Sequence, residues 1–275
     1  LIKAINQKTK LIYAVNRLGN PSDLEDLKSI CKKNEIILIE DNCESLGAKY
    51  NDKYTGTCGL MGSFSFFFSH HMQTMEGGMI ITNDKNLYEL CLSLRAHGWI
   101  RDLPKDNTIV NKTGNPFYDS FNFVVPGYNI RPLEMSGAIG SVQLRKLSSF
   151  IDKRRKNAQI FKALFENETN IRIQQETQIS SWFGFSLILT NSLSGQRDNL
   201  VDILTKNNIE CRPIVAGNFT KNPVIKFLDY EVCGDLAVSD EIHQNGFFVG
   251  NDFRDLSNEI NWLHGLIKDF EQNIL

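Results

Sequence analysis

The sequence predicts an α/β fold, with a mostly parallel sheet in a larger domain and a smaller C-terminal α/β domain after it. The apolar runs LIYAV (11–15) and EIILIE (35–40) flank a helical pattern. Strand, helix and strand within about 30 residues are typical of a right-handed parallel βαβ unit. After residue 165 the predicted strands and helices become shorter. We therefore expect domains over 1–150 and 151–275, with their boundary inside a long helix.

The first helix is predicted to begin after NPSD (20–23), because an early proline and acidic residues in the first turn favour a helix N-terminus. The next predicted elements are strands at 63–68 (SFSFFF) and 79–82 (MIIT), a helix from Asp84 to about Ala96 and a loop at 98–127. A long helix is predicted at 133–165, and Ser148 is a candidate break within it. The last predicted elements are strands at 171–173 and 182–189, helices at 200–207 and 235–245, a strand at 247–249 and a closing helix at 256–270. A loop as long as the one at 98–127 is usually functional.

The composition excludes several classes of function. There are 30 Lys and Arg against 32 Asp and Glu, with a formal net charge of -2, so a generally basic nucleic-acid binder is excluded. No apolar run reaches the ~18–20 residues that a membrane span needs. The six cysteines are widely spaced, which is typical of reduced thiols in a cytosolic protein. We expect a cytoplasmic protein with no nucleic-acid and no membrane partner.

Two segments carry candidate chemistry. Asp41 directly follows a predicted strand, and ligands bind beyond the carboxyl ends of strands in open α/β sheets, so its carboxylate is either a helix N-cap or a ligand group. His70 and His71 are adjacent, so they point apart and do not chelate one metal ion together. One of them is interpreted as an acid/base group, since histidine titrates near neutral pH. The alternative is a pair of partly exposed polar residues, and no metal site is expected.

Five motifs follow one another along almost the whole chain. They are EDNCESLGA (40–48), FSF (64–66), EGG (76–78), GYNIR (127–131) and QL (143–144). In this order and spacing they resemble the sugar-nucleotide aminotransferase family, also called DegT/DnrJ/EryC1/StrS. The resemblance implies a pyridoxal-phosphate (PLP) enzyme of transferase fold type I that acts on nucleotide-linked keto-sugars.

The residue that binds PLP covalently in that family is replaced in this chain. The family has a lysine five residues after the serine of its Ser-Phe strand, and counting from Ser65 reaches His70. Imidazole cannot tether the cofactor as lysine does, but it can take and give protons beside it. The resemblance therefore implies a sugar-nucleotide 3-dehydratase in which His70 is the catalytic acid and base.

Two branches of the family carry this change from lysine to histidine, and both remove the C3 hydroxyl of a 4-keto-6-deoxy sugar nucleotide. One branch has a Cys-rich insertion after an Arg-Asp pair; no cysteine follows Arg101-Asp102, so no iron–sulfur cluster is expected. The runs 66–80, 95–102 and 212–218 resemble the other branch. That resemblance implies PLP and pyridoxamine phosphate (PMP) as cofactors, L-glutamate, and a GDP-linked 4-keto-6-deoxymannose as substrate. It also implies a role in colitose-type dideoxysugar and O-antigen biosynthesis.

Two other interpretations stay open at this point. A sugar-nucleotide 4-aminotransferase that tolerates His70 would leave nitrogen on the sugar. A non-catalytic truncated homologue would bind a sugar nucleotide or partner a full-length subunit.

The resemblance also implies roles for four cofactor residues. Asp41 matches the aspartate that pairs with the pyridine nitrogen, which disfavours the helix-cap alternative, and Glu44 lies where many members have glutamine beside the ring. Ser65 matches a phosphate ligand, with a strand hydroxyl as its alternative. Asn129 matches an asparagine that reaches the cofactor phosphate of the neighbouring subunit, and its alternative is a turn residue. The match at Asn129 implies a homodimer with shared active sites.

Candidates for the glutamate or sugar site are Ser69, His97, Arg131, Glu210 and Arg212. An arginine such as Arg131 holds a carboxylate through two parallel hydrogen bonds, although structural hydrogen bonding is the alternative for His97 and Arg131. The family's N-terminal part, with a loop that grips the cofactor phosphate and an aromatic residue that stacks on the ring, is not in this chain, which starts at Leu1. We therefore expect these 275 residues alone to bind cofactor poorly and to be inactive.

Overall fold

A computed structural model of the chain describes residues 1–274. Its strands are β1 (Leu11–Val15), β2 (Ile37–Asp41), β3 (Lys49–Tyr50), β4 (Lys53–Tyr54), β5 (Met61–Ser65), β6 (Gly78–Thr82), β7 (Ile171–Ile173), β8 (Gly184–Leu189), β9 (Cys211–Arg212) and β10 (Gly246–Gly250). Its α-helices are α1 (Leu24–Asn34), α2 (Lys85–Leu94), α3 (Pro116–Asp119), α4 (Glu134–Phe165), α5 (Arg197–Lys206), α6 (Ala237–Asn245) and α7 (Ser257–Ile274).

The larger sheet contains four strands in the order β1-β2-β5-β6. β2 pairs in parallel with both β1 and β5, whereas β6 pairs antiparallel with β5. Helix α1 connects β1 to β2 and begins at Asp23, whose carboxylate accepts a hydrogen bond from the Asp26 N–H at 3.4 Å. The predicted βαβ unit and the mostly parallel sheet are therefore confirmed.

The strand register brings several polar side chains to one face at one end of this sheet. Residues paired across neighbouring strands share a face, and Asp41 pairs with both Val15 and Ser63. Ser65 lies two residues beyond Ser63 on β5, and Tyr13 lies two residues before Val15 on β1, so both point to the same face. Hydroxyl and carboxylate groups thus meet where the parallel strands end.

The smaller sheet, in the order β7-β8-β10-β9, is antiparallel throughout. The main hydrophobic core lies between this sheet and helices α4, α5 and α7, and its largest fully buried side chains include Trp182, Phe161, Phe165, Phe185, Leu187, Leu200 and Phe247. A separate cluster of Ala14, Cys31, Ile36 and Leu38 joins β1, α1 and β2. Separate cores favour two domains, and the limits 1–150 and 151–275 stay a prediction.

Helix α4 runs without interruption through Ser148, so the candidate break there is wrong. Its 32 residues contain no proline, and a serine alone does not remove a helical hydrogen bond. The buried residues of α4 all lie between Ile151 and Phe165. The first half of the helix instead exposes apolar side chains such as Met135 and Leu144.

The predicted strand at 63–68 is displaced, because β5 ends at Ser65. The His70 N–H donates to the Phe67 carbonyl oxygen at 3.0 Å, and the Thr74 N–H donates to the Phe66 carbonyl oxygen at 2.8 Å. These bonds fold the phenylalanine run into a turn that carries His70. Most other predicted elements agree with the structure to within a few residues, but α3 lies inside the predicted loop at 98–127, and α3, the β3–β4 hairpin and β9 were not predicted. Within residues 1–274, no helix combines the length and apolar character that crossing a membrane requires.

Candidate functional site

Asp41 is the last residue of β2, and the next α-helix in the described chain is α2, so the helix-cap alternative is wrong. Its Oδ1 atom accepts a hydrogen bond from the Cys43 N–H at 3.0 Å, which closes a tight turn. Its Oδ2 atom lies 3.5 Å from the Tyr13 hydroxyl, at the limit of a hydrogen bond. A half-buried carboxylate with one weakly engaged oxygen can pair with a cationic ring nitrogen.

The turn after Asp41 holds two further ionisable groups whose pKa values are raised. Burial raises the pKa of the Cys43 thiol to about 12, and the neighbouring Asp41 carboxylate adds to this shift. Burial also raises the pKa of the Glu44 carboxyl. The hydrogen bond of 2.9 Å that its Oε2 accepts from the Leu18 N–H acts in the opposite direction and lowers that pKa. Cys43 is therefore a thiol rather than a thiolate at neutral pH, and is no nucleophile.

Ser65 ends β5 with its hydroxyl oxygen accepting a hydrogen bond from the Phe67 N–H at 3.3 Å. The hydroxyl proton has no acceptor among the described residues. It is available to a ligand oxygen such as that of a phosphate group.

His70 is half-buried, and its ring packs edge-on against Phe183 at 5.3 Å between centroids. Burial lowers the pKa of His70, the positive charge of Arg154 lowers it further, and the Asp41 carboxylate raises it. The imidazole is therefore largely uncharged at pH 7 and can act as a base. Its Nδ1 atom is buried and has no hydrogen-bond partner in the described residues, which leaves Nε2 for a ligand.

His71 is 2% exposed, so the alternative of two partly exposed histidines is wrong. Its Nε2 atom lies 3.0 Å from the Ser181 carbonyl oxygen, and this contact requires the tautomer protonated at Nε2. Burial is the main cause that lowers the pKa of His71 to about 3, with Arg154 second. The ring is a neutral structural group beside His70.

A cavity of about 650 Å³ lies beside His70. Of the residues predicted from sequence, Ser69, His70, Glu210 and Arg212 line it. Glu210 and Arg212 come from the smaller sheet region and form an ion pair with an N–O distance of 2.6 Å. The fold thus brings a turn of the larger sheet and an edge of the smaller sheet to one cavity.

Six predicted residues do not line this cavity. Asp41, Glu44 and Ser65 lie at or just after the ends of β2 and β5, and His97, Asn129 and Arg131 lie in a second group around Trp99. The His97 ring lies 5.3 Å from the Trp99 ring, and the Arg131 guanidinium lies 5.3 Å from that ring's centroid. Arg131 also donates to the Asn129 side-chain oxygen at 3.4 Å. None of the three lines the cavity beside His70.

Among the residues of the cavity wall that sequence reasoning missed are Arg154, Phe183 and Asn251. Arg154 is 4% exposed, although it lies in a basic run, KRRK, that is typical of a solvated helix face. One signal was available. Arg154 is spaced three residues after Ile151 and four before Ala158, and therefore lies on the apolar stripe of α4.

The described residues contain no group of three or more His, Cys, Asp or Glu side chains that could hold a metal ion. The six cysteines are free thiols. The acid/base and anion-binding groups above are therefore what the described chain itself offers for chemistry.

Comparison with known proteins identifies close relatives. The model of the DegT/DnrJ/EryC1/StrS aminotransferase family matches residues 1–251. The chain is 55% identical over 270 residues to the GDP-4-keto-6-deoxy-D-mannose 3-dehydratase of Yersinia pseudotuberculosis, and the match covers 98% of this chain and 69% of that protein.

Two solved structures are similar in fold as well as in sequence. Escherichia coli GDP-4-keto-6-deoxy-D-mannose-3-dehydratase with bound hydrated PLP superposes with a TM-score of 0.93, at 50% identity, over 96% of this chain and 68% of that one. GDP-4-keto-6-deoxymannose-3-dehydratase with a trapped PLP–glutamate geminal diamine gives a TM-score of 0.93 at 49% identity, over 96% and 69% of the two chains. These likenesses confirm the predicted PLP-dependent transferase fold.

Proposed function

Because the chain belongs to the DegT/DnrJ/EryC1/StrS aminotransferase family, we propose that it catalyses the glutamate-using C3 dehydration of a nucleotide-linked 4-keto-6-deoxy sugar. The proposed substrate is GDP-4-keto-6-deoxy-D-mannose, and the product serves colitose-type dideoxysugar and lipopolysaccharide O-antigen biosynthesis. One observation carries the proposal: His70, a half-buried and largely uncharged imidazole, borders the cavity at the position of the family's lysine.

PLP and PMP are the proposed cofactors, and three side chains near the strand ends are suited to hold them. The Asp41 carboxylate has a weakly engaged oxygen, Oδ2, that can pair with the ring nitrogen, and the Ser65 hydroxyl has a proton free for the phosphate. Glu44 lies in the turn after Asp41, where its carboxyl is half-buried. When bound, the cofactor supplies an electron-withdrawing ring that stabilises negative charge next to the substrate.

His70 is the proposed catalytic acid and base. Since its Nδ1 is buried without a partner among the described residues, Nε2 is the atom that would take up a proton at the reacting centre once cofactor and substrate are bound. The same Nε2–H then donates that proton to the C3 hydroxyl as it leaves, so that water departs. An imidazole with a lowered pKa suits this cycle, because it is free to accept the first proton at neutral pH.

The substrate contacts are proposed for two groups of residues. Ser69, Glu210 and Arg212 line the cavity with His70 and can orient the sugar. His97 and Arg131 lie beside Trp99 and are proposed to bind an anionic part of glutamate or of the sugar nucleotide.

We also propose a homodimer with shared sites. The chain around Asn129 exposes four large apolar side chains, namely Tyr128, Ile130, Leu133 and Met135, each at least 63% exposed. Large apolar side chains exposed together along one segment are typical of a protein–protein interface. A second copy on this surface would bring Asn129 to the neighbouring subunit's cofactor phosphate.

The experiment mixes the protein in its full-length form with PLP, L-glutamate and GDP-4-keto-6-deoxy-D-mannose and follows sugar mass and ammonia together. A product that lacks one oxygen, with ammonia released, supports the dehydratase. His70→Asn is expected to abolish that product, whereas His243→Asn, on helix α6 and outside the wall of this cavity, leaves it unchanged. A product that carries an amino group would overturn the proposal in favour of a 4-aminotransferase.

A further inference from the structure

We propose that Arg154 is a positioning residue for His70. Arg154 holds in place the segment against which the His70 imidazole packs, and its positive charge keeps that imidazole uncharged. The inference rests on the proposed role of His70 and extends it to a residue on another helix. Its support is the hydrogen-bond geometry of a buried segment, the packing of one aromatic ring, and the lack of an ion-pair partner for Arg154 among the described residues.

Arg154 and Asn251 fix the Trp182–Phe183 segment from two sides. The Arg154 Nη1 donates to the carbonyl oxygen of Phe183 at 3.1 Å and to that of Asn251. The Asn251 side-chain amide donates to the Trp182 carbonyl oxygen at 2.9 Å and to the Arg154 carbonyl oxygen at 3.1 Å. Trp182 has a φ of 50°, in the left-handed region that costs a non-glycine residue energy. The two side chains therefore hold the segment in a shape that it would not keep alone.

Phe183 connects this fixed segment to the two histidines, because its ring packs against both imidazole rings. Its ring centroid lies 5.3 Å from that of His70 and 5.7 Å from that of His71. Its N–H donates to the Leu18 carbonyl oxygen at 3.1 Å, so its backbone is fixed on the side opposite Arg154 as well. A shift of the Phe183 backbone would move the surface on which the His70 ring rests.

The charge of Arg154 is not neutralised by an ion pair within residues 1–274. Asp252 is the carboxylate that acts on it, and Asp252 is itself paired with Arg254 at 2.6 Å. Burial lowers the pKa of Arg154 to about 10, which still leaves the guanidinium charged at pH 7. An unpaired cation in a poorly solvated wall acts strongly on its neighbours.

The other charged groups around the cavity offset one another or act in the opposite direction. Glu210 pairs with Arg212, Asp252 pairs with Arg254, and Glu259 acts on Arg254. The Asp41 carboxylate raises the pKa of His70, whereas burial and then Arg154 lower it; the neighbouring His71 is uncharged. Arg154 is thus the cation that favours the base form of His70.

The test is an NMR titration of the histidine rings in this chain, with the His70 signal assigned by its loss in His70→Asn. Arg154→Gln keeps a hydrogen-bond donor for the two carbonyl groups and removes the charge. We expect it to raise the pKa of His70 by at least about 0.3 of a unit, whereas Arg154→Lys, which keeps the charge, changes it by less. An unchanged pKa in Arg154→Gln would overturn the proposal.

Two further variants separate charge from packing and do not depend on the folding of an Arg154 variant. Asn251→Ala loosens the same segment without changing any charge, so a rise in the His70 pKa as large as that in Arg154→Gln would assign the effect to packing and overturn the electrostatic role.

Phe183→Leu removes the ring and keeps Arg154, so we expect the His70 pKa to stay below its ordinary value while its ring signals shift. A return to the ordinary value of about 6.5 would contradict the proposal. The titration needs neither cofactor nor substrate, so its failure is distinguishable from failure of the proposed reaction.

Discussion

The Nε2 atom of His71 lies 3.0 Å from the carbonyl oxygen of Ser181, which is 110 residues away in the chain. This contact joins the turn that carries His70 to the buried segment before β8. Ser181 in turn donates its N–H to the Gly19 carbonyl oxygen at 2.9 Å. The loop after β1, the turn after β5 and the start of the smaller sheet therefore meet at one buried point, and two stability predictions follow from it.

The free energy of unfolding is predicted to rise with pH between about 3 and 6.5. The pKa of His71 is about 3 in the folded chain and about 6.5 when unfolded. In this interval the unfolded chain binds the extra proton and the folded chain does not, so acid favours unfolding. The contribution is of the order of a few kcal/mol across the whole interval.

Urea unfolding followed by circular dichroism at a series of pH values measures this slope. His71→Asn removes the titrating ring and is expected to flatten the pH dependence. His243→Asn, whose ring lies on α6 away from this contact, is expected to retain it. Equal slopes in wild type and His71→Asn would show that other groups cause the pH dependence.

Gly19→Ala is predicted to destabilise the fold by more than about 2 kcal/mol. Gly19 has a φ of 88°, and a Cβ atom there would lie 2.3 Å from the Trp182 backbone nitrogen. Since that neighbour is backbone in a buried segment, it cannot move aside as a flexible side chain would. Gly265→Ala is the matched control, because it lies inside α7 with open space around its Cβ position. We expect the control to stabilise the chain slightly, and a Gly19→Ala variant of wild-type stability would contradict the prediction.

The Glu40 carboxylate is predicted to anchor the turn between β4 and β5. It is fully buried and accepts hydrogen bonds from the backbone N–H groups of Gly56, Cys58 and Gly59 at 2.6–2.8 Å. Glu40→Gln places an amide donor against these donors and is expected to cost about 2–4 kcal/mol of unfolding free energy. The control is Glu166→Gln, an exposed residue at the end of α4. Equal denaturant midpoints for the two variants would exclude an anchoring role for Glu40.

The local pattern of the sequence predicted most of the fold. Hydrophobic periodicity and helix caps such as Asp23 and Asp84 depend on neighbouring residues, so those elements agree with the structure. The strand prediction failed at Phe66–Phe68, because these residues form a turn that is set by hydrogen bonds to residues further along the chain. No short sequence pattern encodes such bonds. A strand rule that reads only apolar content cannot distinguish such a turn from a strand.

The candidate site was predictable only in part, for a related reason. Motif spacing identified Asp41 and His70, and the structure brings Ser69, Glu210 and Arg212 to the cavity beside His70. The contribution of Arg154 depends on its burial and on its lack of an ion-pair partner within residues 1–274, and the burial arises when α4 packs against the segment before β8. From the composition of its segment alone, Arg154 is predicted to be an exposed surface charge.

Asp41→Asn is predicted to lower the pKa of His70, the opposite of the change expected for Arg154→Gln. The Asp41 carboxylate is the group that raises the His70 pKa, so its neutralisation leaves burial and Arg154 unopposed. The NMR titration described above measures the shift. Asp202→Asn, an exposed position on α5, is the control and is expected to leave the His70 pKa unchanged. If Asp41→Asn instead raised the His70 pKa, or matched the control, the carboxylate and the imidazole would not share one electrostatic site. The proposed pairing of Asp41 with a cofactor ring that His70 also serves would then be wrong.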